Sequence, residues 1–245
     1  MDNHGEQRPM NVHNDRQKIV VFTGAGISAD SGLTTFNDKN GLWMDHRIED
    51  VATPQAWQRY PEEILDFYND LREKISFAAP NAAHLAIAEL ESRYEVIVIT
   101  QNIDDLHERA GSTNVLHLHG QITFAQSSIN ENLIYKIDKK PIHMGDLCEK
   151  GSQLRPYVVW YGEHVQNFSA ALEHIKSATK ILVVGTSLTT QPAAGLVSKA
   201  RHHAEKILIG FFTERKPYGY LFLRGKASSM VPYVVNCWLK GQKVR

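Results

Sequence analysis

The chain has 245 residues, enough for one large core or a core with a small module attached. Lysine plus arginine equals aspartate plus glutamate at 27 each, so no net field draws the protein to nucleic acid or to an anionic membrane. Two cysteines, Cys148 and Cys237, cannot build a disulfide framework, and no apolar run approaches the ~20 residues of a membrane span. A monomeric cytoplasmic protein with reduced thiols is expected.

Residues 1–17 have neither an apolar stretch nor a cleavage pattern and read as a flexible polar tail. Ile19, Val20, Val21 and Phe22 then form a strand buried on both faces, ending in a turn through Gly24 and Gly26 with Ala29 as the third small residue. Such a turn lets backbone approach a pyrophosphate. A dinucleotide redox enzyme needs a second strand ending in a carboxylate ~20 residues on. Here that interval, "LTTFNDKNGLWMDHRIEDVATP", is broken by Gly41 and Pro54 and reads as a loop over the nucleotide. "PEEILDFYNDLREKI" follows as a helix with apolar Ile64, Leu65, Tyr68, Leu71 and Ile75.

Further strand-like runs are "YEVIVIT", "VLHLHG", "YVVWYG", "KILVVGT" and "KILIGFF", with helical patterns between several of them. The alternation implies an α/β fold, a Rossmann-like parallel sheet covered by helices. Residues 38–80 and the polar, irregular 121–154 break the rhythm and read as a smaller inserted lobe, leaving 18–37, 81–120 and 155–245 to the large one. The basic run "KARHH", residues 199–203, reads as a solvated helix face.

Polar residues collect where the strands end, which is where doubly wound sheets bind ligands. Gln101, Asn102 and Asp104 follow "EVIVIT". They suit a nicotinamide carboxamide and a ribose, or else a loop whose Asn and Asp bond their own backbone. "VLHLHG" places His117 and His119 on one strand face, and His119, at the strand's end, is the better candidate base, though a structural role also fits. Gly185, Thr186 and Ser187 close another strand with two hydroxyls beside a glycine, suiting phosphate or ribose, or an ordinary turn.

Taken in order, "GAGISADSG", "QNID", "HG", "RPYVVWYGE", "GTSLTTQPAAG" and "GKASSMVP" resemble the signatures of the sirtuin family across about residues 18–240. "GLWMDHRIEDVATP" and "PNAAHLAIAEL" are further similar to short bacterial sirtuins that remove acyl groups from lysine. The resemblance implies that residues 18–245 form a catalytic domain that consumes NAD as a co-substrate: the acyl-lysine oxygen attacks the ribose carbon as nicotinamide leaves, giving an alkylimidate. His119 then takes a proton from the ribose hydroxyls, and the products are lysine, nicotinamide and O-acyl-ADP-ribose. Gly24, Ala25, Gly26, Ser28, Phe36, Gln101, Gly185, Thr186, Ser187 and Ala227 would hold NAD, with Asn102 and Asp104 orienting the carboxamide. An acyl-lysine peptide would add as a strand beside Gly162 and Glu163, with Val159, Trp160 and Tyr161 along the lysine tunnel, one of these aromatics packing as core.

Several positions depart from the family. Its zinc module carries two cysteine pairs, whereas this chain has Cys148 alone, with Ser127 and Ser128 near the first pair and His143 and Asp146 as the only other nearby donors, so no metal is expected. Asn37 stands where the family has arginine, and Ile209, Gly210 and Phe211 replace its Leu-Asn-x, weakening contacts to NAD. Sirtuins that prefer succinyl or malonyl lysine carry Tyr-x-x-Arg; here Tyr68 is followed at that spacing by Leu71, with Arg72 one residue later as a possible cation. A deacetylase is favoured, with acidic acyl groups open. An NAD glycohydrolase or ADP-ribosyltransferase, and a weakly active NAD or ADP-ribose sensor, are the alternatives.

Overall fold

The structure is a computed structural model that describes residues 16–35, 42–43, 46–212 and 216–245. Phe36 and Asn37, expected in the NAD loop, lie outside the described residues. Six parallel strands form the main sheet: β1 (Lys18–Thr23), β4 (Glu95–Thr100), β5 (Val115–His117), β9 (Lys180–Val184), β10 (Glu205–Gly210) and β11 (Leu221–Arg224). Their order is β11-β10-β9-β1-β4-β5, so the chain leaves β1 in one direction and returns to its other side through β9. That reversal opens a crevice at the carboxyl ends of β1 and β9.

Strand alternation divides the core. Ile19, Val21, Val98, Val184 and Ile209 pack on one face against α4 (Ala82–Glu89) and α7 (Ala227–Leu239). Val20, Phe22, Ile99, Val183 and Leu208 pack on the other, against α6 (Phe168–Ser177) and the 3-10 segment Ala193–Lys199. Both faces are covered, which is why these strands read as unbroken apolar runs.

The smaller lobe joins α1 (Ile48–Val51), α2 (Pro54–Arg59) and α3 (Pro61–Phe77) to an antiparallel sheet of β6 (Gly120–Ser127), β7 (Ile134–Lys136) and β8 (Leu154–Val158), in the order β7-β6-β8. The short pair β2 (Leu42–Trp43) and β3 (His46–Arg47) precedes α1. Two expectations are corrected here. Residues 121–154 are not irregular, since most of β6 and all of β7 lie within them. The "YVVWYG" run does not join the parallel sheet: β8 runs antiparallel to β6, with Gln126 opposite Arg155 and Ser127 opposite Leu154. Ile64, Phe67, Tyr68, Leu71 and Ile75 of α3 close this lobe against Ile122, Val158 and Trp160.

Candidate functional site

The crevice is made by close backbone packing. The Gly24 and Gly26 N–H groups donate to the Val184 and Gly185 carbonyls at 3.0 and 2.8 Å. Gly185 has φ +66°, and a Cβ there would meet Ile27 N at 2.3 Å and Gly26 C at 2.5 Å. Only glycine lets these two turns touch. After the turn the backbone makes two 3-10 turns, Ala25–Ile27 and Ala29–Ser31. Asn81 braces this loop from the start of α4, donating to the Ile27 carbonyl at 2.8 Å and to Ser31 at 3.0 Å.

The segment after β4 lies against the same loop. Ser28 donates to Asp104 Oδ2 at 3.0 Å and the Leu106 N–H donates to Oδ1 at 3.1 Å, so both carboxylate oxygens are engaged. Burial pushes the Asp104 carboxyl above its ordinary range, against those two bonds. The Asn102 amide donates to the Gly24 carbonyl and to Ser28 Oγ, each at 3.3 Å. Thr186 Oγ1 donates to Gln101 Oε1 at 3.0 Å, tying the third strand end to the second. Ser28, Asn102 and Asp104 thus form one hydrogen-bonded group beside Gly24, Gln101 and Thr186 form a second next to it, and Ser187 follows next in the chain.

His119 contacts the Gln101 carbonyl through Nδ1 at 3.0 Å. A carbonyl only accepts, so Nδ1 carries the proton and Nε2 keeps the lone pair of a base. Burial lowers the His119 pKa, and the Gln101 carbonyl only partly offsets this, so the neutral ring prevails at neutral pH. His117 is buried and does not share this arrangement, with Asn102 O at 2.9 Å from Nδ1 and Glu108 Oε1 at 2.8 Å from Nε2.

The turn from Val159 to Glu163 leaves β8 beside His119, whose carbonyl accepts from the Val159 N–H at 2.9 Å. Glu163 holds the turn's shape: one oxygen accepts from Arg155 at 2.8 Å, the other from the Trp160 N–H at 2.8 Å. Trp160 is the aromatic that packs as core, with Arg155 over its ring at 4.0 Å and its Nε1–H donating to Tyr68 OH at 3.0 Å. Tyr161 and Gly162 in this turn are exposed. Leu71 sits with Tyr68 and Trp160 in the apolar cluster. Arg72 donates from Nε to the Ile122 carbonyl at 2.9 Å and from Nη1 to Asn69 Oδ1 at 2.6 Å, while its buried Nη2 has no partner among the described residues.

Ala227 is buried at the start of α7, and the adjoining Ser228 and Lys226 reach Asp30 in the glycine loop at 2.6 and 3.7 Å. Gly210 ends β10, its carbonyl accepting from the Gly225 N–H at 3.2 Å, and Phe211 beyond it is exposed. Where the family resemblance implies zinc, Cys148 Sγ lies 3.5 Å from Ser127 Oγ and 3.2 Å from Ser152 Oγ, and the two hydroxyls are 2.8 Å apart. One thiol and two hydroxyls do not fit Zn²⁺, which needs four ligands of mostly thiolate or imidazole type. Ser128 takes no part in this group, and His143 pairs with Asp146 at 3.7 Å on the surface. Among the described residues no cluster of three or more His, Cys, Asp or Glu could hold a metal. None of their helices is long and apolar enough to cross a membrane.

Sequence reasoning missed the supports beneath the site. Asn81, Arg155, Glu108 and Ser152 act through partners far away in the chain, and no local pattern marks them. Arg155 lies inside "RPYVVWYGE", but its stacking on Trp160 depends on a turn that composition does not reveal.

The Sir2 family profile matches residues 24–192. An NAD-dependent protein deacylase of Helicobacter pylori is 45% identical over 200 residues, covering 82% of this chain and 85% of that protein. One of Shewanella oneidensis is 40% identical over 235 residues, covering 93% and 97%. Among solved structures, a Sir2 homologue in complex with NAD superposes with a TM-score of 0.83 at 39% identity, over 93% of this chain and 91% of the other.

Proposed function

Because the chain belongs to the Sir2 family, we propose that it is an NAD-dependent protein-lysine deacylase that favours acetyl and other apolar acyl groups. The observation that supports this reading is His119, held by the Gln101 carbonyl through Nδ1 so that Nε2 keeps the lone pair of a base. NAD, when bound, supplies the ribose carbon that accepts the acyl oxygen as nicotinamide leaves. The protein's own residues then divide the work. Gly24, Ala25, Gly26, Gly185, Thr186, Ser187 and Ala227 present backbone, hydroxyls and a helix start to the diphosphate and ribose. Asn102, Asp104, Ser28 and Gln101 form a prearranged polar group for the carboxamide. His119 Nε2 accepts the ribose hydroxyl proton.

The acyl-lysine substrate adds as a strand beside Gly162 and Glu163, its stem passing Val159, Trp160 and Tyr161. Preference for an apolar acyl group is supported by Leu71 and Tyr68 in the apolar cluster and by the engagement of Arg72 with Ile122 and Asn69. The protein works without zinc, as a cytoplasmic monomer that binds neither nucleic acid nor membrane. Mass analysis of products tests the reading: an acetyl-lysine peptide with NAD yields O-acetyl-ADP-ribose from the wild type and none from His119→Ala. Nicotinamide and ADP-ribose formed without any O-acetyl-ADP-ribose would instead indicate a glycohydrolase.

A further inference from the structure

His117 precedes the catalytic base by two residues and faces two groups that can only accept hydrogen bonds. Nδ1 lies 2.9 Å from the Asn102 carbonyl, and Nε2 lies 2.8 Å from Glu108 Oε1. Neither a carbonyl nor a carboxylate offers a proton, so both contacts are hydrogen bonds only when both ring nitrogens carry one. The geometry points to His117, as a doubly protonated ring, being a positioning residue that holds the Asn102 backbone and so aims the amide of Asn102 at the nicotinamide half of NAD. This role rests on the deacylase reading for its ligand, while the protonation state rests on the hydrogen bonds alone.

The surroundings agree from each side. Glu108 and His107 face the ring from α5 (Leu106–Arg109), Asp104 faces it from the loop after β4, and Asn167, just before α6, donates to the His117 carbonyl at 3.0 Å. Burial pulls the His117 pKa down, but the hydrogen bond and charge of Glu108, the Asn102 carbonyl and the Asp104 charge more than reverse this and leave it raised. His107 bonds Thr23 at 3.0 Å instead, and its own pKa is pushed well below the ordinary value by burial and by the charges of His84 and His117. The Asn102 N–H is fixed separately, donating to Thr100 Oγ1 at 3.0 Å, so the peptide groups on both sides of Asn102 are held.

Deprotonation breaks the pattern in one direction. The neutral ring keeps one proton, the carboxylate of Glu108 competes for it more strongly than a carbonyl can, and Nδ1 then turns a lone pair towards the Asn102 carbonyl. The raised pKa means that the hold persists above the pH at which an ordinary histidine loses its proton, and is lost as pH rises through the raised pKa. Glu108→Gln changes this outcome, because a glutamine amide can donate to Nε2 and leave Nδ1–H on Asn102.

The test is calorimetric binding of NAD and of ADP-ribose, which lacks nicotinamide, from pH 7 to pH 10. The proposal expects NAD to bind about tenfold more weakly at the alkaline end, one hydrogen bond's worth, with ADP-ribose unchanged within about twofold, and expects Glu108→Gln to abolish the NAD dependence. Long-range ¹H–¹⁵N spectra, with His117 assigned by its loss in His117→Gln, should show both ring nitrogens protonated at pH 7.5. A neutral His117 at that pH overturns the proposal, as does an alkaline fall that survives in Glu108→Gln or that ADP-ribose shares. Absence of turnover on acyl-lysine peptides would count against the deacylase reading and leave these binding outcomes as informative as before.

Discussion

Gly185→Ala perturbs the place where the two halves of the nucleotide crevice touch. An ordinary van der Waals contact begins near 3.4 Å, and the new Cβ would stand 2.3 Å from Ile27 N, so the glycine loop must retreat by about 1 Å. The left-handed φ of +66° adds about 1–2 kcal/mol of backbone strain, and overpacking adds about 1–3 kcal/mol. Together these destabilise the fold by about 2–5 kcal/mol, which for a chain of this size lowers Tm by roughly 4–20 °C. Misplacement of the loop by about 1 Å should cost on the order of 100-fold in kcat/KM for NAD. Gly32→Ala is the control: its φ is +84°, but nothing lies within 4 Å of the added Cβ. It should lose only the strain, about 1–2 kcal/mol, with kcat/KM near wild type. Differential scanning fluorimetry with NAD titrations of the rate compares the two, and a Gly185→Ala enzyme no worse than Gly32→Ala would refute the close-approach argument.

Three further outcomes follow from buried groups. The pKa of His119 is lowered by burial, so kcat/KM should hold down to pH values below its ordinary 6.5 and fall only beneath that; an acid limb above 6.5 would contradict the assignment. Burial lowers His84 from 6.5 to about 4, so the folded ring stays neutral while the unfolded one takes up a proton. Stability should therefore be complete above pH 6.5 and drop by about 3 kcal/mol on acidification towards pH 4, and urea titrations at pH 7 and pH 5 that coincide would exclude it. Arg72→Met strips the Ile122 carbonyl and Asn69 of a charged donor and should cost about 1.5–3 kcal/mol of stability, while the ratio of acetyl to succinyl removal stays within about twofold. A selective loss of succinyl removal would show that Arg72 serves the acyl chamber.

The large sheet was legible because its strands are covered on both faces, which leaves β1, β4, β9 and β10 as nearly pure aliphatic runs between polar turns. Where a strand has one solvated side the signal fades. β6, "GQITFAQS", alternates too weakly to stand out from a loop, and the edge strand β11, "LFLR", is short and half-buried. "YVVWYG" misled for a related reason: an apolar run says that a strand is buried, but its direction is set by its partner, and β8 pairs with β6 inside the smaller lobe. The strand ends pointed to Gln101, Asn102, Asp104, His119 and Thr186, which the fold brings into two adjacent hydrogen-bonded groups, one through Ser28 and one through Gln101. Asn81, Glu108 and Arg155 were out of reach, because each has its meaning only through a residue folded against it.

The most direct test of the account is nicotinamide release from NAD by the purified protein, with and without an acetyl-lysine peptide. The deacylase mechanism predicts release that requires the peptide and disappears in His119→Ala. Release at the same rate without the peptide, or undiminished in His119→Ala, would contradict it.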